Sequence, residues 1–152
     1  AFKDSKESSY VVGQVWGEKG ADKYLLDQTR EKLDFPRTLA AVEAMTARWP
    51  KAAAKLVEDK ANGPAIIATL KHKLGGMIAV DPDGSKEARA HAVTAYIEAG
   101  NVYIPDDVYW SDDFINECSA FPNAAHDDQV DAMTQALKYL CGGVIPGLFI
   151  VK

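Results

Sequence analysis

The sequence is poor in cysteine and lacks any long apolar run, and each shortage narrows what it can be. Its two cysteines, Cys118 and Cys141, fall in segments with helical patterning and no metal-ligand spacing. They predict free thiols in a reducing compartment rather than a disulfide framework. No stretch approaches the ~20 apolar residues that span a bilayer. The polar opening AFKDSKESS also lacks the apolar segment of a signal peptide, so the expectation is a cytoplasmic protein with no membrane partner. Positive charge is in deficit: 17 Lys and Arg stand against 22 Asp and Glu, a net charge of −5. A dedicated nucleic-acid binder normally carries a cationic surplus. The deficit does not exclude an enzyme whose carboxylates gather metal cations, because bound ions cancel that charge. A GxxxxGK[ST] phosphate loop is missing, as are internal repeats, low-complexity tracts and an interdomain linker.

What remains is one domain. At 152 residues, 47% hydrophobic and 26% charged, the chain has the composition of a soluble globular protein and enough length for a single core. After a polar start (1–9), read as mobile, YVVGQVW (10–16) has the β-branched and aromatic content of a strand. A turn containing Gly17 and Gly20 leads to its antiparallel partner YLLDQTR (24–30). Asp34 and Pro36 open a helix with Leu39, Val42, Met45 and Trp49 on its buried stripe, stopped by Pro50. Residues 53–58 form a strand ending in acid, and Asn62, Gly63 and Pro64 start a helix that buries Ile66, Ile67, Leu70 and Leu74. A strand over 77–80, the turn DPDG, a helix over 85–99, a short strand over 102–104 and helical segments to the end complete the pattern. Antiparallel strands followed by crossover units make a mixed α/β sheet flanked by helices.

Chemistry concentrates in FPNAAHDDQVDAMTQALKY (121–139). Val130, Met133, Leu137 and Leu140 recur at helical spacing, so they form the buried stripe of one helix. At 100° per residue, Asp127 lies about 60°, Asp131 about 100° and Asp128 about 160° from Val130. Asp127 is therefore expected at the core's rim and Asp128 in solvent. Acids in a first helical turn also favour the helix dipole and cap its N–H groups. A second acidic pair, Glu58 and Asp59, sits where a parallel strand ends, the place where open sheets gather functional groups. Alternation sends the two to opposite faces, so only one can meet the helix. Carboxylates converging from a strand end and a helix start would make a hard-oxygen site for Mg2+ or Mn2+. A pair of such ions supports phosphodiester hydrolysis without a protein nucleophile.

The blocks YVVGQVWG, YLLDQTR, LVEDKANG, KEARAHAV, EAGNVYIP and AFPNAAHDDQVDAMTQAL resemble the C-terminal nuclease domain of tailed-phage terminase large subunits, from Tyr10 to Leu140. The resemblance implies a ribonuclease H-like fold and two-metal, Mg2+- or Mn2+-dependent endonucleolytic cleavage of double-stranded phage DNA in the bacterial host cytoplasm. Portal protein and small terminase subunit are the implied partners. It implies Glu58 as the acid of the second family motif with Asp59 beside it, and Asp127 as the acid of the third with Asp128 and Asp131 as further metal ligands. Lys86 and Arg89 match a basic pair of the family, and with Lys60 they are expected to contact DNA phosphates.

Against the family pattern, the strand bearing the first metal-binding Asp would lie ahead of AFKDSKESSYVV, so this stretch is expected to lack that strand and the motor ATPase domain. The expectation is an incomplete metal site with low or no activity. Two other functions compete, a junction-resolving nuclease of the same fold and a catalytically silent module that binds DNA or portal. His126 is read as a surface residue at the helix start, His72 as part of a solvated basic patch, and the apolar tail GGVIPGLFIVK (142–152) as a segment that docks on the domain.

Overall fold

A computed structural model describes residues 10–82, 84–142 and 148–151. Strands β1 (Val11–Lys19) and β2 (Asp22–Glu31) form an antiparallel hairpin. The first strand runs further than its apolar stretch suggested: Gly17 pairs with Tyr24 inside the ladder, and a bulge between Val15 and Trp16 shifts the register. Only Gly20, with φ of 61°, takes the left-handed backbone that the reversal requires. Helix α1 (Phe35–Arg48) follows, its first turn closed by the Asp34 carboxylate, which accepts from Arg37 N at 2.9 Å.

Next come β3 (Ala54–Glu58), α2 (Gly63–Leu70), β4 (Met77–Val80), α3 (Lys86–Glu98), β5 (Val102–Tyr103), α4 (Ser111–Ala120), α5 (Asp128–Gly142) and β6 (Leu148–Val151). Helix α2 ends before Leu74, which reaches the core partly buried from the turn that follows. The Ser85 hydroxyl caps α3, accepting from Ala88 N at 3.1 Å.

The sheet order is β4-β3-β6-β1-β2-β5. Strand β6 lies in its middle, antiparallel to β1 with Gly13 opposite Val151, and parallel to β3 with Val57 opposite Val151. The apolar tail therefore docks as a central strand. The remaining tail positions 143–147 and 152, like the start 1–9, lie outside the described residues.

Alternation divides the core into two layers. Val12, Trp16 and Leu56 face α3, α4 and α5, where Val93, Phe114, Met133 and Leu137 meet them. Val15 and Val57 face the other way, onto Val42, Met45, Ile66 and Leu70 of α1 and α2. Helix α5 is wedged between α3, α4 and the sheet, and every residue from Asp128 to Leu137 is buried.

Because β6 joins β3 to β1, removing residues 143–152 should cut the sheet in two. Urea denaturation is expected to show a loss of about 3 kcal/mol or more, on the scale of about 1 kcal/mol for each net backbone hydrogen bond. An unchanged midpoint would mean that the strand contributes nothing to the sheet.

Candidate functional site

The end of β3, the start of α2, the start of α3 and the first turn of α5 enclose a cavity of about 520 Å3, lined among others by Glu58, Lys60, Lys86, Arg89, Asp128 and Asp131. The two acidic clusters do share a pocket. Glu58 enters it because β3 stops against a tight connection: Gly63 N donates to Lys60 O at 2.9 Å, Asp59 N to Val80 O at 2.8 Å, and Ala61 has a φ of 50°. Gly63 runs so close to the strand that a Cβ there would lie 1.7 Å from the Glu58 carbonyl oxygen. Only glycine fits, and its presence holds Glu58 at the α2 N-terminus. Asp59 is exposed and lies outside the cavity wall, as alternation required. Lys60 is exposed on the cavity's rim.

The burial of Asp127 and Asp128 reverses the helical-wheel expectation. Asp131 and Asp128 are buried, with 2% and 6% of their surface exposed, whereas the Asp127 side chain keeps 38%. Two facts explain the reversal. Asp127 precedes the helix and contributes its carbonyl, which accepts from Asp131 N at 2.9 Å, so the 100° spacing does not extend to it. The flank that carries Asp131 is also covered by Arg89 of α3, and Asp128 meets the Tyr10 backbone instead of solvent.

From α3, Arg89 donates through Nη2 and Nε to Asp131 Oδ1 at 2.6 and 3.2 Å and through Nη1 to Gly84 O at 2.8 Å. Lys86 Nζ lies 2.7 Å from Asp127 Oδ1 and 3.9 Å from Asp131 Oδ2. The basic pair expected to face DNA thus also serves as counter-charge for the acids. Asp128 Oδ2 accepts from Tyr10 N at 3.1 Å, which ties the helix start to the beginning of β1. His126 is half-buried and meets the Tyr10 ring edge-on at 5.0 Å. His72 is exposed.

A buried polar chain behind these acids was not foreseen. Trp16 Nε1 donates to Gln14 Oε1 (2.9 Å), Gln14 Nε2 to Gln28 Oε1 (2.8 Å), Gln28 Nε2 to Gln129 Oε1 (2.8 Å) and Gln129 Nε2 to Glu117 Oε1 (2.9 Å). Glu117 Oε2 then accepts from Val130 N at 2.8 Å, acting as a cap for α5 supplied by α4. The signal was available: Gln14 and Gln28 occupy positions of β1 and β2 where alternation calls for apolar side chains. The cysteines stay apart from all this as free thiols, with burial and then the Glu117 charge pushing Cys118 up to about 12.

By donor chemistry the acids suit Mg2+ or Mn2+. By arrangement they do not fit a preformed two-ion site. Among the described residues no three His, Cys, Asp or Glu side chains converge closely enough to hold a metal ion, and Asp127 and Asp131 already face Lys86 and Arg89.

Two substitutions test how the site is held. Glu117→Ala strips the acceptor from Val130 N and from the Gln129 amide, and should cost about 2 kcal/mol in urea denaturation, the usual scale for orphaned buried donors; a change within error would show that the cap is idle. Gly63→Ala should lower stability by at least about 2 kcal/mol, because backbone must move to admit the methyl. A neutral result there would mean that the β3 end is free to shift.

Comparison with known proteins agrees with the geometry. The model of the family described as terminase RNaseH-like domain matches residues 1–140, which takes in β1 to α4, most of α5 and every acid of the cavity. None of the curated proteins compared with the chain matches it. A mixed sheet flanked by helices suits the ribonuclease H-like fold, and the chain belongs to the terminase RNase H-like domain family.

Proposed function

We propose that this is the DNA-cleaving domain of a phage DNA-packaging terminase, an endodeoxyribonuclease that hydrolyses phosphodiester bonds of double-stranded DNA in a Mg2+- or Mn2+-dependent manner. The observation that carries the reading is the single cavity onto which Glu58 opens from a strand end and Asp128 and Asp131 open from a helix start. Carboxylates that open onto one cavity from distant parts of a chain are characteristic of functional sites. The cations Lys60 and Lys86 on the same walls supply complementary charge for a phosphate backbone, while Arg89, expected to join them, is held by Asp131. Asp127 belongs to the acid set through its pairing with Lys86, and Asp59 stands outside it. Under this reading the domain works in the cytoplasm of the bacterial host, alongside a portal protein and a small terminase subunit.

One observation favours a second reading, that of a silent module binding DNA or portal: Asp127 and Asp131 are matched by Lys86 and Arg89, and among the described residues there is no ready-made metal cage. Calorimetric titration with Mn2+ separates the two, since a silent module takes up no ion.

The nuclease reading predicts nicking of supercoiled plasmid with Mn2+ and none in EDTA. Glu58→Gln and Asp128→Asn should each reduce it about 100-fold or more, a barrier increase of about 2.7 kcal/mol. Melting temperature should hardly change in Asp128→Asn, because an amide oxygen can still accept from Tyr10 N. Asp131→Asn should behave differently, costing about 3–5 kcal/mol of stability by leaving the Arg89 guanidinium buried opposite a neutral amide. Undiminished nicking in both Glu58→Gln and Asp128→Asn would remove the cavity acids from the chemistry.

A further inference from the structure

Beside the cavity, Tyr10 carries two cations on its ring. The guanidinium carbon of Arg30 lies 3.7 Å from the ring centroid and Lys32 Nζ lies 5.2 Å from it. Tyr10 lines the cavity, and its backbone N–H is the one held by Asp128. Arg30 stands opposite Val12 in the hairpin ladder, which puts it on the sheet face that packs against α5.

These two cations differ from others in the molecule. Lys23, Arg37, Arg48, Lys73, Lys86 and Arg89 all have carboxylate partners. Among the described residues, no carboxylate pairs with Arg30 or Lys32, although the chain's net charge is −5. The Nε of Arg30 is buried without an acceptor. Leaving a half-buried guanidinium donor unsatisfied is costly, and a planar fork held against an aromatic face is preorganised to receive an oxyanion. Lys32 is exposed beside it, so the anion would be reached from solvent.

We propose that Tyr10, Arg30 and Lys32 form a subsite for a backbone phosphate of duplex DNA, on the β1–β2 side of the cavity. It rests on the reading of the domain as DNA-cleaving and adds how the duplex is held. Lys60 and Lys86 line the cavity itself, so cations from β2, the β3–α2 turn and α3 flank the acids and attract a polyanion. The subsite reads charge and not sequence.

The test is binding of a short fluorescein-labelled duplex, in EDTA so that no cleavage intervenes, followed by anisotropy across a salt series. Lys32→Gln and Arg30→Gln are each expected to reduce the slope of log K against log salt by about 1, the signature of one lost phosphate contact. The double variant should bind about tenfold more weakly, a difference of about 1.4 kcal/mol. Arg30→Lys should restore the salt slope but only part of the affinity lost in Arg30→Gln, because an ammonium returns the charge without the planar fork, and Lys71→Gln, exposed past the far end of α2, should match the wild type. Lys32 is exposed, so its substitution reports on binding even if Arg30→Gln perturbs the fold.

Wild-type binding with unchanged slope and affinity in Lys32→Gln and in the double variant would overturn the subsite while sparing the nuclease reading. Failure of the wild type to bind duplex would overturn both. Displacement of duplex by inorganic phosphate at constant ionic strength would assign the subsite to the free anion and overturn it as a backbone site.

Discussion

The Gln129 side chain is gripped from both sides, by Gln28 of the sheet and by Glu117 of α4, and this grip sets where the first turn of α5 lies. The cavity acids of α5 depend on it, since Asp128 and Asp131 lie within two residues of Gln129 in the sequence and Glu117 also caps Val130 N. A purely apolar contact at this place could slide or rotate by a fraction of a turn at little cost. A chain of directional hydrogen bonds in a dry interior cannot, because each slip would orphan a buried donor or acceptor. The helix that carries the chemistry is thus indexed to the sheet by amides and a carboxylate, while apolar packing of Met133, Leu137 and Leu140 supplies the burial.

The cations of α3 solve a second problem. Acids at the head of a buried helix face one another across low dielectric, and desolvation raises the cost of each charge. Arg89 is itself buried with its partner Asp131, so α3 and α5 are joined by an ion pair whose two members each need the other. This explains why a helix with so weak an apolar pattern as α3, which buries only Arg89 and Val93, still docks firmly on its neighbour.

Much of this was legible in the sequence. Local periodicity, caps and turn residues located the hairpin, the helices and the strand ending at Glu58, because each is decided within a few residues of itself. That Glu58 would open onto the same cavity as acids of α5 was also legible, from the rule that places functional groups at parallel strand ends, but Asp128 and Asp131 line that cavity in place of the expected Asp127. Two things were not. The relative burial of Asp127, Asp128 and Asp131 depends on which element covers the outer side of α5, and nothing in α5 itself encodes the arrival of Arg89. The role of the apolar tail depends on a vacancy between β1 and β3 that exists only after the rest of the sheet has formed; an apolar run of that length looks the same whether it docks loosely or becomes a strand.

That tail strand has a mechanical consequence. Four residues, Leu148–Val151, form the seam between the β3–β4 half of the sheet and the β1–β2–β5 half. One half carries Glu58, and α5 with its acids packs against β1 and β2 of the other. Tension applied through the C-terminal end of the chain is therefore delivered to the middle of the molecule instead of its periphery, and peeling those residues away would part the two walls that bring the carboxylates together.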